Sequence, residues 1–355
     1  MNIVIEELLG KDIIEIDNPL TKTELQDKVV LITGAAGSIG SDIVKQLLKY
    51  SPKKIILIDQ SESGLYDLSF EIQKLVHQNI LVQIIVGNIT DEPRMNCIFK
   101  DAQPQLVFHA AAYKHVPLME SNSYEAVKVN VFGTQIMSNL SLKYGVSKFV
   151  LVSTDKAVNP SSVMGLTKKV AEMFVQSLNV REDNITKFIT TRFGNVIESN
   201  GSVIPLFKKQ IEIGGPITVT HPEITRYFIT IQEASELVLE AATIGEGGEI
   251  FLFDMGEPIK IVEVAQKMIA LSGKNIEIQY IGLRSGEKLH EKLLNYDENM
   301  ICTYHPKIKY VKSMMSNCLD IKQKLDELNS FLHKNSDTKL IAKLKSIVPK
   351  YMTKN

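Results

Sequence analysis

The segment VVLITGAAGSIGSDIVKQLL, residues 29–48, constrains the fold of this chain more than any other. Three glycines at three-residue intervals separate a β-branched run from an amphipathic stretch. Glycine lets the backbone turn tightly and come close to a pyrophosphate, which the N-terminus of the following helix stabilises. The pattern therefore predicts a dinucleotide-binding turn. Its predicted cofactor-binding residues are Gly34, Gly37, Ser38, Ile39 and Gly40.

The first half of the chain alternates short β-branched runs with amphipathic stretches that carry apolar residues at three- and four-residue spacings. The runs are KVVLIT, KKIILID, ILVQIIVG, QLVFHAAA, KFVLVST and TKFITTRF. Strands that alternate with helices in this way form a parallel sheet covered on both faces. The sequence therefore predicts an α/β protein, with a doubly wound parallel-sheet Rossmann fold and a smaller C-terminal α/β substrate domain.

The alternation breaks after Arg192, where loops rich in glycine and proline begin, and a second, shorter α/β pattern follows. This change of pattern divides the chain into four predicted parts. They are an N-terminal arm (1–27), a cofactor domain (28–193 with 228–254), a substrate domain (194–227 with 255–312) and a helical C-terminal tail (313–355).

The charge balance argues against a polyanionic macromolecule as the partner. Lys plus Arg total 40 and Asp plus Glu total 41, so the net charge is −1, and no overall field favours nucleic acid or an anionic membrane. No apolar run reaches the roughly 18 residues that a membrane span requires. Three cysteines without metal-ligand spacing, Cys97, Cys302 and Cys318, predict reduced thiols and no metal site. We therefore expect a cytoplasmic protein that acts on small molecules.

The strand KKIILID ends in Asp59, at the distance from the glycine turn where dinucleotide-binding folds place an acid that accepts from the adenosine ribose. A carboxylate there repels a 2′-phosphate, so NAD is favoured over NADP as the cofactor. The alternative is that Asp59 only caps the helix that starts near Ser61. Asn88 and Ile89, after the third strand, and Ala110, after the fourth, complete the predicted cofactor contacts.

A polar cluster, STDK at residues 153–156, follows the fifth strand. In an open α/β sheet, ligands bind at the carboxyl ends of the strands, so we expect this cluster to face the cofactor. About three helical turns later, Lys168 lies where a lysine can bond the nicotinamide ribose, and Met164 precedes it by four residues. In the alternative interpretation, Asp155 and Lys156 form a surface salt bridge and Met164 fills the core.

Several long segments, in order, resemble one family. They are TGAAGSIGS, AAAYKHVPLME, VNVFGT, STDKAVNPSSVMGLTKK, RFGNVIESNGSVIPLFKKQIEIGGPITVTHPEITRYFIT and GLRSGEKLHEKLL, and the resemblance runs from about Leu8 to about Tyr310. They are similar to segments of the extended short-chain dehydrogenase/reductases, specifically the nucleotide-sugar 4,6-dehydratases that act on UDP-N-acetylglucosamine. Where other members carry a tyrosine, this chain has Met164. That substitution resembles the branch that retains configuration at C5, in its short form without an N-terminal membrane region.

The resemblance implies a reaction and a role for each residue of the polar cluster. NAD-dependent 4,6-dehydration would convert UDP-N-acetylglucosamine to UDP-2-acetamido-2,6-dideoxy-α-D-xylo-hexos-4-ulose for bacterial surface glycan or polysaccharide synthesis. Asp155 would be the acid at the C6 oxygen, Lys156 the base at C5, and Thr154 the hydrogen-bond partner of the C4 hydroxyl. Met164 would shape the site, and Lys168 would hold the cofactor. The final acceptor of the C4 hydroxyl proton stays open between Asp155, water and another group.

The resemblance also implies contacts to the substrate. Lys114 would reach the sugar and Asn195 the phosphates, while backbone groups near Val203 would meet the uracil. His115, next to Lys114, receives no catalytic role, because a lone histidine is more often structural.

Two arginines, Arg226 and Arg284, offer forked donors that match the pyrophosphate oxygens. Glu287 is the predicted partner of a ribose hydroxyl. An interdomain salt bridge is the alternative role for each arginine. Two residues depart from the family pattern, Ser285 in place of a proline and Glu198 in place of a small residue, and either is expected to alter sugar preference.

Other functions remain open at this point. Within enzymes, the alternatives are a C5-inverting 4,6-dehydratase and a UDP-hexose 4-epimerase, although an epimerase is expected to keep the tyrosine. A binding protein that senses nucleotides is the non-enzymatic alternative. The resemblance further implies a homo-oligomer, either a dimer built through two helices of each copy or a hexamer.

Overall fold

The computed structural model describes residues 16, 18–75, 79–295, 298–312, 317–332 and 336–348. Most of the predicted N-terminal arm therefore lies outside the described residues. In the described part of the chain the strands are β1 (Val29–Thr33), β2 (Lys54–Asp59), β3 (Leu81–Val86), β4 (Leu106–His109), β5 (Lys148–Val152), β6 (Lys187–Arg192), β7 (Asn195–Val196), β8 (Ile217–Val219), β9 (Thr225–Arg226), β10 (Phe228–Ile229), β11 (Glu249–Phe253), β12 (Ile259–Lys260), β13 (Ile278–Tyr280), β14 (Met300–Cys302) and β15 (Ile308–Lys312).

Helices connect and cover these strands. Within the same described ranges they are α1 (Pro19–Leu25), α2 (Ser38–Leu48), α3 (Glu62–Gln73), α4 (Glu92–Ala102), α5 (Val116–Glu120), α6 (Ser123–Ala126), α7 (Thr134–Lys143), α8 (Val163–Ser177), α9 (Val203–Glu212), α10 (Ile231–Ile244), α11 (Ile261–Ser272), α12 (Cys318–Leu332) and α13 (Asp337–Ile347). A π-helical segment, Val127–Gly133, joins α6 to α7, and single 3₁₀ turns occur at Asp155–Ala157 and Leu178–Val180.

A nine-stranded sheet with the order β14–β15–β11–β6–β5–β4–β1–β2–β3 forms the centre of the molecule. The strands from β3 through β11 in this order are parallel. The strand order reverses between β1 and β4, which makes the carboxyl ends of those strands the expected ligand crevice. The predicted α/β class and doubly wound Rossmann sheet are confirmed.

The apolar runs of the sequence form strands of a sheet that helices cover on both faces. Every residue of β5 is buried, and so is every residue of β4. One apolar cluster joins the sheet to α4, α7, α8, α12 and α13, and a second joins it to α2, α3 and α10. Burial on both faces explains why these strands read as continuous hydrophobic runs rather than as alternating patterns.

A smaller unit follows β6 and has its own apolar cluster, built mainly from α9, α11 and the short strands β8 and β13. The predicted substrate domain extended to residue 312, but β14 and β15 belong to the main sheet instead. β15 pairs antiparallel with β11, and its Ile308 and Val311 are fully buried. The burial of these two side chains explains the difference, since pairing with β11 places them in the core.

The first and last of the described helices pack on the main body. At the N-terminal side, Asn18 caps α1 and donates from Nδ2 to Glu240 on α10 at 2.9 Å. At the C-terminal side, the apolar faces of α12 and α13 join the cluster that contains α8. Among the helices of the described ranges, none is long and apolar enough to cross a membrane.

Candidate active site

A cleft of about 430 Å³ opens at the carboxyl ends of the parallel strands. Its walls come from the glycine turn after β1, from the segments that follow β4, β5 and β6, and from the first turns of α8. Segments that are far apart in the sequence therefore meet at the crevice that the strand order predicts.

The glycine turn is shaped so that only glycine fits. Gly34 has φ +67°, and a Cβ on it would lie 2.6 Å from the backbone nitrogen of Ala111. A Cβ on Gly40 would lie 2.0 Å from the carbonyl oxygen of Gly34. Gly37 caps α2 without any side-chain hydrogen bond, so the N-terminus of this helix faces the cleft uncovered. This cradle fits a dinucleotide pyrophosphate, since free N–H groups and the helix dipole favour an anion there.

The residues predicted to hold the cofactor lie together. Gly34, Gly37, Ser38, Ile39, Gly40 and Ala110 all line the cleft. Asp59, Asn88 and Ile89 line an adjoining cavity of about 140 Å³ that shares Gly34, Gly37 and Ala110 with the cleft. The two cavities together form one elongated site.

Asp59 supports the turn but does not cap α3. Its Oδ2 accepts from the Ala36 N–H at 3.0 Å, and its Oδ1 accepts from the Ser61 N–H at 2.9 Å. The N-cap of α3 is Ser61, whose hydroxyl accepts from the Gly64 N–H. The carboxylate is therefore held at the cavity wall, where each oxygen has lone pairs left for a ribose hydroxyl.

The residues Thr154, Asp155 and Lys156 form a hydrogen-bonded chain directly after β5. The Thr154 hydroxyl and the Lys156 Nζ atom both donate to Asp155 Oδ1, each at 2.9 Å. Lys156 Nζ also donates to Asn195 Oδ1 at 3.0 Å. Thr154, Lys156 and Asn195 line the cleft, so the lysine is held between two acceptors at the wall.

Asp155 is fully buried, and its Oδ2 has no hydrogen-bond partner within the part of the chain that the structure describes. The Asp155–Lys156 pair is therefore not the surface salt bridge of the alternative interpretation. A buried carboxyl linked to the cleft through two neighbouring side chains is suited to exchange protons with a ligand there.

Two residues of α8 complete this wall. Met164 and Lys168 both line the cleft, and they are 3% and 5% exposed. Lys168 Nζ donates to the carbonyl oxygen of Val152 at 2.7 Å. Burial lowers the pKa of Lys168 to about 8, although the negative charge of Glu172 opposes that shift. Met164 carries no ionisable group, so it contributes shape to this wall and no proton transfer.

Lys114 and His115, in the segment after β4, also line the cleft. Desolvation by the cleft walls and then the charge of Lys156 lower the pKa of Lys114. The His115 ring packs so closely on Gly201 that a Cβ there would lie 2.5 Å from its Cε1 atom. Lysines 114, 156 and 168 thus converge on one cleft, and this arrangement favours an anionic ligand.

Four of the predicted substrate contacts lie apart from the residues that line the cleft. Arg226 is buried in the smaller unit, where it donates to the Leu289 carbonyl oxygen and pairs with Glu287 at 3.3 Å. Arg284 is exposed, and Val203 lies just beyond the cleft-lining Ser202. The structure thus shows a salt bridge for Arg226, but within the smaller unit rather than between domains. Substrate contact by these four residues stays a prediction.

The two departures from the family pattern lie in turns. Glu198 has φ +57° and pairs with Lys208 on α9 at 2.5 Å, and Ser285 is exposed. Neither residue lines the cleft as the described residues outline it.

Sequence reasoning missed two parts of the site. The segment from Ser199 to Ser202 forms a wall of the cleft, and its Asn200 N–H donates to the Ser38 hydroxyl at 3.1 Å. A buried ion pair, Glu172 with Arg192, lies behind the polar cluster of residues 153–156. The signal for the pair is a glutamate within the buried helix α8 and an arginine at the end of a buried strand.

Comparison with known proteins identifies relatives of this chain. The capsular polysaccharide biosynthesis protein CapD of Staphylococcus aureus is 50% identical over 312 residues, which cover 87% of this chain and 51% of CapD. A UDP-N-acetylglucosamine 4,6-dehydratase (inverting) of Campylobacter jejuni is 36% identical over 275 residues, which cover 77% of this chain and 79% of that enzyme. The X-ray structure of Pen from Bacillus thuringiensis superimposes with a TM-score of 0.77 at 35% identity, covering 82% of this chain and 91% of Pen.

This chain spans about half the length of CapD. Residues 30–313 match the family model described as "Polysaccharide biosynthesis protein", and this range contains the glycine turn, the polar cluster of residues 153–156 and the whole cleft. The chain therefore belongs to the polysaccharide biosynthesis protein family.

Proposed function

We propose that this protein is an NAD-dependent 4,6-dehydratase that acts on UDP-N-acetylglucosamine and retains configuration at C5. The observation that carries the proposal is the hydrogen-bonded chain of Thr154, Asp155 and Lys156. Its first and last members line the cleft beside a methionine where a tyrosine would otherwise act. The dehydratase relative in Campylobacter jejuni and the role of CapD in capsular polysaccharide synthesis support this substrate class.

The residues of the cradle fit NAD. The uncovered N-terminus of α2 and the close packing at Gly34 and Gly40 leave room for a pyrophosphate, and Asp59 holds a carboxylate where the adenosine ribose would lie. The negative charge at Asp59 disfavours a 2′-phosphate and so favours NAD over NADP. When bound, NAD supplies an acceptor for the C4 hydride and returns that hydride to C6.

Thr154, Asp155 and Lys156, the proposed catalytic segment, can carry out all of the proton transfers. The cycle starts with Lys156 as a neutral amine and Asp155 as a carboxylate. The C4 hydroxyl gives its proton to Thr154 Oγ1, which passes its own proton to Asp155 Oδ1 over the 2.9 Å hydrogen bond. Asp155 thereby becomes the acid that the next step needs.

The elimination step uses the same three hydrogen-bonded residues. The C4 ketone acidifies the C5 hydrogen, and Lys156 removes it. Thr154 gives the proton that it took from C4 to the C6 oxygen, which leaves as water, and Thr154 takes its own proton back from Asp155. Lys156 returns its proton to C5 on the face from which it took one, so configuration is retained. The residues end in their starting protonation states, and the water carries the former C4 hydroxyl proton. Asn195 keeps Lys156 on this wall through its 3.0 Å hydrogen bond.

Reaction in deuterated water tests the function. We expect purified protein with UDP-N-acetylglucosamine and NAD to give a 4-keto-6-deoxy product whose NMR spectrum shows deuterium at C5 and unchanged configuration, because the Lys156 proton exchanges with solvent. An inverted C5 centre would assign the protein to the inverting dehydratases. A 4-epimer without loss of water would assign it to the epimerases, and absence of any product would contradict the proposal.

A substitution at the cofactor cavity tests the ribose contact. Asp59→Ala should raise the dissociation constant of NAD about 10- to 100-fold, since hydrogen bonds to a charged group contribute about 1.5–3 kcal/mol. Isothermal titration of cofactor-free protein measures this change. Asp67→Ala, on the exposed face of α3, is the matched control and should bind NAD normally. Unchanged affinity in the Asp59 variant would exclude the ribose contact.

A further inference from the structure

A buried ionic network lies behind the catalytic segment. The Arg192 guanidinium is fully buried at the end of β6 and binds Glu172 on α8 through two parallel bonds, from Nε at 2.8 Å and from Nη2 at 2.7 Å. Its remaining nitrogen, Nη1, binds both carboxylate oxygens of Glu298 at 3.0 and 2.8 Å. One arginine thus joins α8, the main sheet and the segment that precedes β14.

The network reaches the catalytic residues through Ser153. The Ser153 hydroxyl donates to Glu172 Oε1 at 2.6 Å, and its N–H donates to the Thr191 carbonyl oxygen at 2.7 Å. Ser153 directly precedes Thr154, and the Asp155 N–H is held by the Phe193 carbonyl oxygen at 3.1 Å. The segment is therefore fixed on both sides of Thr154, once by a side chain on α8 and otherwise by the backbone of β6 and of Phe193, the residue after it.

Glu172 also lies one helical turn after Lys168, on the same face of α8. Burial lowers the pKa of Lys168, and the charge of Glu172 partly offsets that effect. Several charged or titratable groups face this region from the elements around it. They are Arg192 on β6, Glu298 before β14, His109 on β4, Asp155 and Lys156 after β5, Glu120 on α5 and Lys169 on α8.

These surroundings leave Glu172 ionised and His109 neutral. The charges and hydrogen bonds of Arg192, with Lys169 and Ser153, outweigh the desolvation of Glu172 and hold its pKa below the usual value. Burial and the charge of Lys168 lower the pKa of His109 to about 3. Glu172 is therefore the constant negative charge next to Lys168 along α8.

We propose that Glu172, clamped by Arg192, is a positioning residue that holds Ser153 and thereby Thr154 in place, and that keeps the amine of Lys168 charged while it holds the cofactor. This inference rests on the proposed function for the role of Thr154. The charge on Lys168 can be measured without any reaction.

Two variants separate the two effects of Glu172. Glu172→Gln keeps the size of the side chain but removes its charge. Ser153→Ala removes the hydrogen bond to Glu172 and leaves the charge in place. Glu240→Gln is the matched control, because Glu240 is an equally buried, hydrogen-bonded carboxylate on α10, away from the cleft.

The first readout is the titration of Lys168, which is monitored by NMR of lysine-labelled protein. The Lys168 signal is assigned from its loss in Lys168→Arg. In the wild type the ammonium form is lost as pH rises through about 8. Glu172→Gln should move this midpoint down by about one pH unit, because a neighbouring negative charge that stabilised the ammonium is gone. Ser153→Ala and Glu240→Gln should leave it in place. An unmoved midpoint in Glu172→Gln overturns the electrostatic role.

The second readout is turnover. Glu172→Gln and Ser153→Ala should each lower kcat about 10- to 100-fold with little change in KM, as expected when a reacting group is misplaced after substrate has bound. Wild-type kcat in both variants overturns the positioning role. A wild-type protein that shows the expected Lys168 titration but forms no 4-keto product would refute the proposed function and leave the electrostatic inference standing.

Discussion

Replacing Lys156 by alanine should lower the rate of dehydration about 10²- to 10⁴-fold, the range that a positioned general base contributes. Lys156 lies on the cleft wall, with its Nζ held between Asp155 and Asn195. Without the amine, the hydrogen-bonded residues described here offer no base for the C5 hydrogen, because Asp155 is already protonated by the first proton transfer. Binding of UDP-N-acetylglucosamine should survive, because Lys114 and Lys168 still present positive charge to the cleft.

A conservative variant separates base chemistry from the ion pair. Lys156→Arg keeps a hydrogen-bond donor beside Asp155, but arginine does not lose its proton in proteins and so cannot act as the base. It should be as inactive as the alanine variant while it binds substrate in a calorimetric titration. Lys322→Ala, on the exposed face of α12, should turn over normally. Wild-type-like turnover by Lys156→Arg would remove Lys156 as the base.

The largest effect on stability is expected from Arg192→Leu. This change leaves two carboxylates, Glu172 and Glu298, buried without their shared partner. Removing one member of a buried ionic network typically costs about 3–5 kcal/mol, because the remaining charges stay desolvated. We expect the free energy of unfolding in urea to fall by about that amount at neutral pH. Arg181→Leu removes a well-formed but exposed ion pair with Asp183 and should change the free energy of unfolding by less than about 1 kcal/mol.

The loss should also depend on pH. Arg192 holds the pKa values of Glu172 and Glu298 below their usual value near 4.5. A depressed carboxyl pKa contributes stability above the unfolded-state pKa, and that contribution is lost as pH falls through the folded-state pKa. The difference between wild type and Arg192→Leu should therefore shrink in acid. A difference that stays constant down to pH 3 would show that lost packing, and not charge, explains the effect.

Local sequence pattern was enough to predict the sheet and the part of the site that lies at strand ends. The six β-branched runs became β1 to β6, and the glycine turn, Asp59 and the catalytic segment meet at one crevice. This worked because parallel strands place their carboxyl ends together, so residues far apart in the chain converge. Retention at C5 and each residue's role stay predictions.

The parts that were not predicted depend on long-range pairing. Glu172 and Arg192 are charged residues in apolar segments, and neither segment shows that the other lies 2.7 Å away. The short strand β15 has two buried residues whose partner, β11, is separated from it by the smaller unit. The forked donors of Arg226 suit phosphate, and in this structure they bind a carbonyl oxygen and a carboxylate that local sequence pattern does not indicate.

The return of the chain to the main sheet at β15 has a consequence for how the protein is made. The smaller unit is an insertion whose flanks, β6 and β15, both belong to the large sheet, and β10 and β11 lie between its two halves in sequence. During synthesis the main sheet is incomplete until β15 has emerged, so β11 waits for a distant partner. We therefore expect nascent chains that end before residue 312 to expose the edge of β11 and to need chaperone protection.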